Sequence, residues 1–318
     1  MATIKSVAKK AGVSISTASY ALNGVPKVKA ETKARVLAAA EELGYYPNAN
    51  ARNLKTNKTG NVGVFIYGFG GPVFSDILEG INDELHLKGY NIIVSSGASS
   101  NVILRERQVD AAVIFDDKID DKVVLAYAQK SPVVVLDRRL KGDNIYQSLL
   151  DNEKLVYRLI KKVIQKGYRK LCYLSGPEDS FNQKERYIGF ERALAESSIE
   201  KHCYIHGDFT IAGGYRIGKI LAKSMDKPDF VFCANDELAI GLIQALNETH
   251  IKIPAQIAVA GFDGIYLNDF ISPKLTTINI NHHEWGKQIV DFLINVLEKK
   301  PTKKLTHPEA VITFKESC

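Results

Sequence analysis

The chain has 318 residues, of which 45% are hydrophobic and 25% charged, and its formal net charge is +6. This length suits two to three domains, and the composition is that of a soluble globular protein. No apolar run approaches the roughly 20 residues that cross a bilayer, and the N-terminus has no apolar stretch of the signal-peptide type. We therefore expect a cytoplasmic, nucleoid-associated protein with no membrane partner.

The positive charge is concentrated in the N-terminal fifth of the chain. Residues 1–58 hold ten Lys/Arg and three Asp/Glu, a net charge of +7, whereas the remainder holds 32 and 33, a net charge of −1. Lysine and arginine displace condensed counterions from nucleic acid, which is a large source of affinity that does not depend on sequence. The charge distribution favours nucleic-acid binding by the N-terminal region over the alternative of a merely solvated basic surface.

The cysteines are scattered and form no Cys-x-x-Cys pair. Buried structural thiols in a reducing cytosol are the expected use of these four residues. They are Cys172, Cys203, Cys233 and Cys318.

Two short amphipathic segments joined by a glycine turn predict a helix-turn-helix. Residues 4–11 carry apolar side chains on one helical face, Gly12 ends that helix, and Ser14 caps the next one. The second helix, about 15–22, buries Ala18, Ala21 and Leu22 and closes at Asn23-Gly24. The side chains that it presents outward, where a recognition helix meets base edges, are Ile15, Ser16, Thr17 and Tyr20.

A third helix is predicted over about 30–43. It directs Val36, Leu37, Ala40 and Leu43 toward the same small core, and Gly44 stops it. A generic three-helix bundle is the alternative to a DNA-reading domain. The basic surface and the short glycine turn favour the DNA reader.

The polar segment 48–60 has little to bury, apart from Leu54, which has no obvious core to join. It is either a plain linker or a helix, about 48–56, that forms on DNA. In the second case Leu54 wedges between base steps in the minor groove, and Ala51 allows close approach.

Strands and helices alternate after Gly60 and predict two cycles of βα units. Strand runs at 62–67, 91–95, 111–115 and 133–136 belong to the first cycle, and a second cycle starts near 151. Repeated βα units build parallel sheets covered by helices, with ligands beyond the carboxyl ends of the strands. We expect one domain at 1–59 and a second at 60–318. The second comprises an N-subdomain, about 60–148 plus 281–300, and a C-subdomain, about 151–278 plus 305–318.

Hydrogen-bonding and aromatic side chains follow the predicted strands and suit a small polyhydroxylated ligand. For any one position, the alternative is that Asp or Asn only caps the next helix. The candidates are Tyr67, Phe74, Asp137, Arg138, Arg186, Phe209, Asn235 and Asp263.

Other chemistries find little support in the sequence. The glycines at 68–71 do not form Gly-x-Gly-x-x-Gly, and Pro72 intrudes, so a dinucleotide site is disfavoured. The cluster His282-His283-Glu284 lacks a partner at metal-ligand spacing, so we expect a solvated helix start. No nucleophile–base set appears. We therefore predict no catalytic residues, cofactor or metal, and no enzyme.

The N-terminal motif resembles that of the LacI–GalR family of bacterial transcription repressors. From Thr3 the chain reads Thr-Ile-Lys-Ser-Val-Ala-Lys-Lys-Ala-Gly-Val-Ser-Ile-Ser-Thr, followed by Leu22-Asn23, and the similarity covers essentially its whole length. Ala18 and Ala21 stand where the family has Val, and Tyr20 stands where it has Arg. Asn50 occupies a position that usually holds Val or Ile, and the segment 96–108 is shorter than usual, which implies a truncated crossover helix.

The resemblance implies an all-α helix-turn-helix domain followed by an α/β periplasmic-binding-protein-like domain of two doubly wound subdomains. It implies a homodimer or tetramer on a palindromic operator, with operator choice at Ile15, Ser16 and Tyr20. The DNA-binding residues carried over are Ser14, Ile15, Ser16, Thr17, Tyr20, Asn23, Ala51, Leu54 and Lys55.

The resemblance also implies a small-molecule effector in the cleft between the subdomains. It adds Asp151 to the effector residues and favours a sugar or sugar derivative. Two alternatives stay open: a cytosolic sugar-binding protein without a regulatory role, and a regulator that depends on a purine-type corepressor.

Leu54→Ala should weaken operator binding strongly while leaving effector affinity intact, because the wedge touches only DNA. A gel-shift titration on palindromic fragments of the chain's own promoter measures the change. Equal operator affinity in the variant would refute the wedge, and the absence of any retarded fragment at moderate salt would refute the repressor itself.

Overall fold

The computed structural model describes residues 2–46, 53, 58–136, 138–307 and 309–318. The chain divides into two compact units, Met1–Thr59 and Gly60–Cys318. Within the described residues, no helix is both long and apolar enough to span a bilayer.

Between residues 2 and 46, the first unit contains the helices α1 (Ile4–Ala11), α2 (Ile15–Leu22) and α3 (Ala30–Glu42). A reciprocal pair of side-chain hydrogen bonds between Thr3 and Ser6 starts α1, and Gly12 ends it with φ +65°. The Ser14 hydroxyl then accepts from the Thr17 amide at 3.1 Å and caps α2. The core between the helices consists of small side chains, namely Val7, Ala8, Ala11, Ala18, Ala21, Val36, Ala39 and Ala40.

The expectation that Leu37 belongs to this core is wrong. Its side chain is 45% exposed, while Val36, Ala39 and Ala40 are buried. Residues 36, 39 and 40 share one helical face, whereas residue 37 is rotated by about 100° from residue 36. The helix was predicted correctly, but Leu37 was wrongly assigned to its buried face.

The first half of the second unit contains a five-stranded parallel sheet in the order β2-β1-β3-β4-β5. Its elements are β1 (Asn61–Ile66), α4 (Pro72–Lys88), β2 (Asn91–Ser95), α5 (Ala98–Arg105), β3 (Ala111–Phe115), α6 (Asp121–Ala128), β4 (Val133–Val135) and β5 (Ile145–Gln147). The crossover helix α5 has 8 residues.

The second half contains a six-stranded sheet in the order β11-β10-β9-β8-β6-β7, parallel except for β11. Its elements are α7 (Asn152–Gln165), β6 (Leu171–Leu174), α8 (Phe181–Ala195), β7 (Cys203–Ile205), α9 (Ile211–Lys223), β8 (Phe230–Cys233), α10 (Asp236–Glu248), β9 (Ala258–Asp263), a 3₁₀ turn (Tyr266–Asp269), β10 (Thr276–Ile280), α11 (His282–Leu297) and β11 (Ala310–Thr313).

Both faces of each sheet are covered. Successive side chains of a strand point to opposite faces, so each strand contributes to a core on either side of its sheet. On β6, Tyr173 enters the large cluster with Phe190 and Phe232, while Cys172 and Leu174 enter a separate cluster on the other face. The α/β fold class with two doubly wound subdomains is confirmed.

The chain passes between the two halves of the second unit more than once, and Ser148 connects these crossing segments by hydrogen bonds. Trp285 of α11 donates its indole N–H to the Ser148 hydroxyl at 2.8 Å. Ser148, just after β5, in turn donates to the carbonyl of Thr306 at 3.1 Å, in the chain leading to β11. The crossing segments are thus tied together by hydrogen bonds on one small side chain.

Helix α11 lies so close to α4 that a side chain would not fit between them. A methyl group added at Gly80 would stand 2.0 Å from the carbonyl oxygen of His283. We expect Gly80→Ala to lower the free energy of unfolding by about 1–3 kcal/mol, since overpacking against backbone forces the helices apart. Urea unfolding followed by fluorescence of Trp285, the single tryptophan, measures this.

Gly68→Ala is the matched control, because nothing lies within 4 Å of a methyl group there. A Gly80→Ala protein as stable as the control would contradict the packing argument.

Candidate nucleic-acid interface and effector cleft

The outward face of α2 carries the side chains predicted to read DNA. Ile15 is 48% exposed and Tyr20 36% exposed, although both are large and apolar in part. Ser16 is exposed as well. Thr17 is half-buried, and its hydroxyl lies 2.8 Å from that of Ser14. The structure therefore brings Ile15, Ser16 and Tyr20 to one accessible face, with Thr17 at its margin.

The end of α2 is fixed by Asn23, whose side-chain amide donates to the carbonyl of Ser19 at 2.8 Å. Lys10 of α1 forms an ion pair with Glu42 at the end of α3 and so links these two helices. Ala51, Leu54 and Lys55, as well as Asn50, lie outside the described residues, and the hinge helix and its wedge stay predictions.

A cavity of about 540 Å³ opens in the second unit beyond the carboxyl ends of the strands. Of the nine predicted effector residues, the structure brings six to its wall: Tyr67, Phe74, Arg186, Phe209, Asn235 and Asp263. Sequence reasoning missed further lining residues, among them Phe115, Asp117, Lys118, Asp179, Asn182, Asp208 and Glu237.

Arg186 is the central cation of this wall and is 5% exposed. Its Nε donates to Asn152 Oδ1 at 2.9 Å, and its Nη2 donates to Asp263 Oδ1 at 3.3 Å. Nη1 donates to the carbonyl of Ala234, and the guanidinium carbon lies 3.6 Å from the centre of the Phe262 ring. Each guanidinium nitrogen thus has a protein partner.

Asp263 ends β9 with φ +111°, a conformation that L-residues rarely adopt. Burial raises the pKa of its carboxyl to about 7; Arg186 opposes this rise, and the nearby Asp236 and Glu237 add to it. The carboxyl therefore exchanges its proton near neutral pH.

Asp236 holds the turn that places Asp263. Its carboxylate accepts from the amides of Gly264 and Ile265 at 2.7 and 3.0 Å, and from the side chains of Asn268 and Thr277, both at 2.7 Å. Burial raises the pKa of Asp236 to about 6, and these hydrogen bonds oppose the rise. The two adjacent side chains therefore have different roles: Asp236 fixes the turn, whereas Asn235 lies on the cavity wall.

Asn235 connects the helix cap to the aromatic wall. Its side-chain oxygen accepts from the Leu238 amide at 3.0 Å and caps α10, while its amide donates to the carbonyl of Phe209 at 3.0 Å. Phe209 has φ +62°, and its ring occupies the space beside Gly176, where a methyl group would meet it at 2.2 Å. A strained residue is thus held in place at the cavity.

The opposite wall is also aromatic. The rings of Tyr67 and Phe74 pack edge to face with their centroids 4.8 Å apart. Phe74 and Phe115 pack in the same way, with a centroid distance of 5.1 Å. Burial raises the pKa of Tyr67 to about 12, so its hydroxyl stays protonated and available as a hydrogen-bond donor.

Two predicted effector residues, Arg138 and Asp151, do not line the cavity. Arg138 points instead to the carbonyl of Ile119 at 2.6 Å and to Asp121 at 2.9 Å. Asp151 is an exposed cap of α7 that accepts from the Lys154 amide at 3.3 Å, the role named as its alternative. Asp137 lies outside the described residues.

The expectation of a solvated start for α11 is wrong at His282. This side chain is 3% exposed, and burial lowers its pKa to about 4. Within the described residues neither ring nitrogen has a hydrogen-bond partner. The signal that sequence reasoning passed over is spacing, because His282 stands three residues before the buried Trp285 and shares its helical face.

Two ion pairs cross between the halves, and the residues of the first line the cavity. Lys118, after β3, lies 2.7 Å from Asp179, after β6. Arg139 lies 2.9 Å from Glu185 of α8. Except for Glu185, these side chains are more than 60% exposed. The ion pairs are therefore solvated and contribute little to stability.

Two family models match the chain. Residues 3–48 match the bacterial regulatory proteins of the lacI family, and residues 160–318 match a periplasmic binding protein-like domain. The first match covers α1 to α3, and the second covers most of the half that carries Arg186, Asn235 and Asp263.

Whole-chain relatives agree with these matches. The HTH-type transcriptional repressor PurR of Mannheimia succiniciproducens is 32% identical over 327 residues, covering 98% of each chain. A sugar-binding transcriptional regulator of the LacI family from Enterococcus faecalis is 34% identical with a TM-score of 0.74, over 82% of this chain and 98% of that one. The lac repressor dimer bound to operator and the anti-inducer ONPF shares the fold, with a TM-score of 0.84 at 23% identity over 99% and 98% of the chains. With its helix-turn-helix, its two-sheet effector unit and these relatives, the chain belongs to the LacI–GalR family of bacterial transcription repressors, which are regulators and not enzymes.

Proposed function

We propose that the protein is a repressor that binds a palindromic operator as a dimer in the cytoplasm and that a neutral sugar in the cleft controls it. The observation that carries the effector half is the buried Arg186–Asp263 pair, 3.3 Å apart, on the cavity wall. Arg186 uses three of its five N–H donors on protein acceptors, and the Asp263 carboxylate is an acceptor for ligand hydroxyls.

The charge of the wall argues for an uncharged ligand. Five carboxylates line the cavity against two cations, Arg186 and Lys118. Lys118 is already paired with Asp179, and Arg186 has three protein acceptors. A phosphate group would therefore meet net negative charge with no unengaged cation on the described wall, which disfavours sugar phosphates.

The aromatic walls support a ring-shaped ligand with polar edges. Phe209 on one side and Tyr67 with Phe74 on the other offer flat apolar surface, while Asp263 supplies a directional acceptor. This combination suits the apolar faces and hydroxyl edges of a sugar. The Enterococcus faecalis regulator is described as sugar-binding, and its 34% identity supports the same class here.

A purine base is the second candidate effector. The three aromatic side chains would also hold a flat heterocycle, and the relatives that carry the name PurR share 32% identity with nearly the whole chain. The other alternative, a sugar-binding protein without a regulatory role, is not favoured because residues 3–48 match the lacI-family regulators.

A thermal-shift screen of the full chain separates these effectors. We expect a neutral sugar to raise the unfolding midpoint, since a ligand at 100 times its Kd adds about 2.7 kcal/mol of stability. The matching sugar phosphate should have little effect. A shift with purine bases and with no sugar would replace the proposed effector by the second candidate.

Asp263→Asn should remove the pH dependence of effector binding. Because the Asp263 pKa is raised to about 7, the carboxyl is largely protonated at pH 6 and largely ionised at pH 8. If the ionised form binds, the affinity of the wild-type protein rises by about tenfold over this range. Calorimetric titration at both pH values measures this.

Asp151→Asn is the matched control, since Asp151 is an exposed helix cap away from the cavity wall. The control should keep the wild-type profile. If effector affinity in the wild-type protein did not change between pH 6 and pH 8, ionised Asp263 would be excluded as the group that binds the effector.

A further inference from the structure

Two of the four cysteines are direct neighbours on adjacent strands. Cys172 of β6 and Cys203 of β7 are register partners in a parallel pair. Such partners lie about 4.8 Å apart at their Cα atoms and project from the same face of the sheet. Disulfides form at Cα separations of about 4.4–6.8 Å, so the backbone already has the required spacing.

Both thiols pack against the same apolar cluster, which includes Leu174, Leu221 and Leu242. Cys172 is fully buried, whereas Cys203 is partly exposed on β7, the edge strand of the sheet. An edge strand has a neighbour on one side alone, so it can approach β6 more closely than an interior strand could.

The two thiols are chemically unequal. The hydrogen bond from Cys172 lowers the pKa of Cys203 to about 7, against the opposing effect of burial. The same contact and burial raise the pKa of Cys172. The accessible thiol is therefore the one that ionises first, and the thiolate is the nucleophilic form.

Cys233 provides an internal comparison. It is the register partner of Leu174, two residues beyond Val231, which faces Cys172. Strand spacing and rise place its Cα about 8 Å from that of Cys172, too far for a bridge. Burial also keeps its pKa well above the usual range.

We propose that Cys172 and Cys203 form a reversible thiol–disulfide site that hydrogen peroxide oxidises. The Cys203 thiolate attacks one peroxide oxygen and the O–O bond breaks, giving a sulfenic acid and hydroxide, which takes up the proton that Cys203 had released and becomes water. The Cys172 sulfur then attacks the sulfenic sulfur as the S–O bond breaks, and the Cys172 proton passes to the departing hydroxide, which leaves as a second water. The two thiols lose two electrons to one peroxide, and a dithiol reductant restores them by exchange.

The position of the pair links it to the cleft. Strand β7 ends at Ile205, and the chain continues directly into Asp208, Phe209 and Thr210 on the cavity wall. A disulfide that draws β7 toward β6 acts on this segment. This link to effector binding rests on the proposed function, but the oxidation itself does not.

Oxidation is tested on the reduced full chain with one equivalent of hydrogen peroxide. Free thiols counted after denaturation should fall from the four in the sequence to two, and a dithiol should restore four. Peptide mapping should find residue 172 joined to residue 203. Four unreacted thiols, or a disulfide between other cysteines, would overturn the proposal.

Variants assign the roles of the two sulfurs. Cys203→Ser should keep all three of its thiols, whereas the control Cys233→Ala should fall from three to one. Cys172→Ala should leave Cys203 as a sulfenic acid that dimedone labels. Loss of thiols from Cys203→Ser as fast as from the control would contradict Cys203 as the attacking group.

Hydrogen exchange tests the link to the cleft without any effector. Peptides covering 203–210 should exchange more slowly in the oxidised protein than in the reduced one, while α11 peptides stay unchanged. Formation of the disulfide with equal exchange in 203–210 would refute the link and leave the proposed function untouched.

Discussion

The buried guanidinium of Arg186 is the constraint on which the effector unit depends. Its donors go to the start of α7 at Asn152, the end of β8 at Ala234 and the end of β9 at Asp263. An unpaired buried charge costs several kcal/mol, so these chain ends must converge for the unit to be stable. The same convergence places the Asp263 carboxylate on the cavity wall, so the contacts that stabilise the fold also position an acceptor at the cavity.

The two units separate their electrostatic tasks. The first carries the excess positive charge of the chain, whereas five carboxylates and two cations line the cavity of the second. The small alanine-rich core of the first unit suits this division, because short side chains let its helices pack closely while the outward face of α2 stays available.

The sequence predicted most of the fold, and the discrepancies have local causes. Periodicity located the helices and strands because both have a fixed repeat, but it could not set the width of a buried face, as Leu37 shows. It recognised Asn235 and Asp263 because they stand at strand ends, and Arg186 because it belongs to a recognisable motif, although Arg186 lies inside α8 rather than at its start. It missed Asp117 and Asp179, which reach the cavity from loops whose course depends on tertiary packing. The burial of His282 likewise follows from α11 packing against the first half, which no local pattern around two histidines reveals.

The proposed control by an effector requires a small free-energy difference between open and closed forms of the cleft. The ion pairs Lys118–Asp179 and Arg139–Glu185 connect the two halves, all but Glu185 through well-exposed side chains, and exposed pairs contribute about 0–1 kcal/mol each. The crossing segments meet at Ser148 through neutral hydrogen bonds to Trp285 and Thr306, which can hold the segments together while the halves turn. A ligand shifts such an equilibrium only by its differential affinity for the two forms. Asp263 and Phe209, both held in unusual backbone conformations at the cavity, are the groups best placed to supply that difference, because a small movement of either changes the contacts that a bound ring can make.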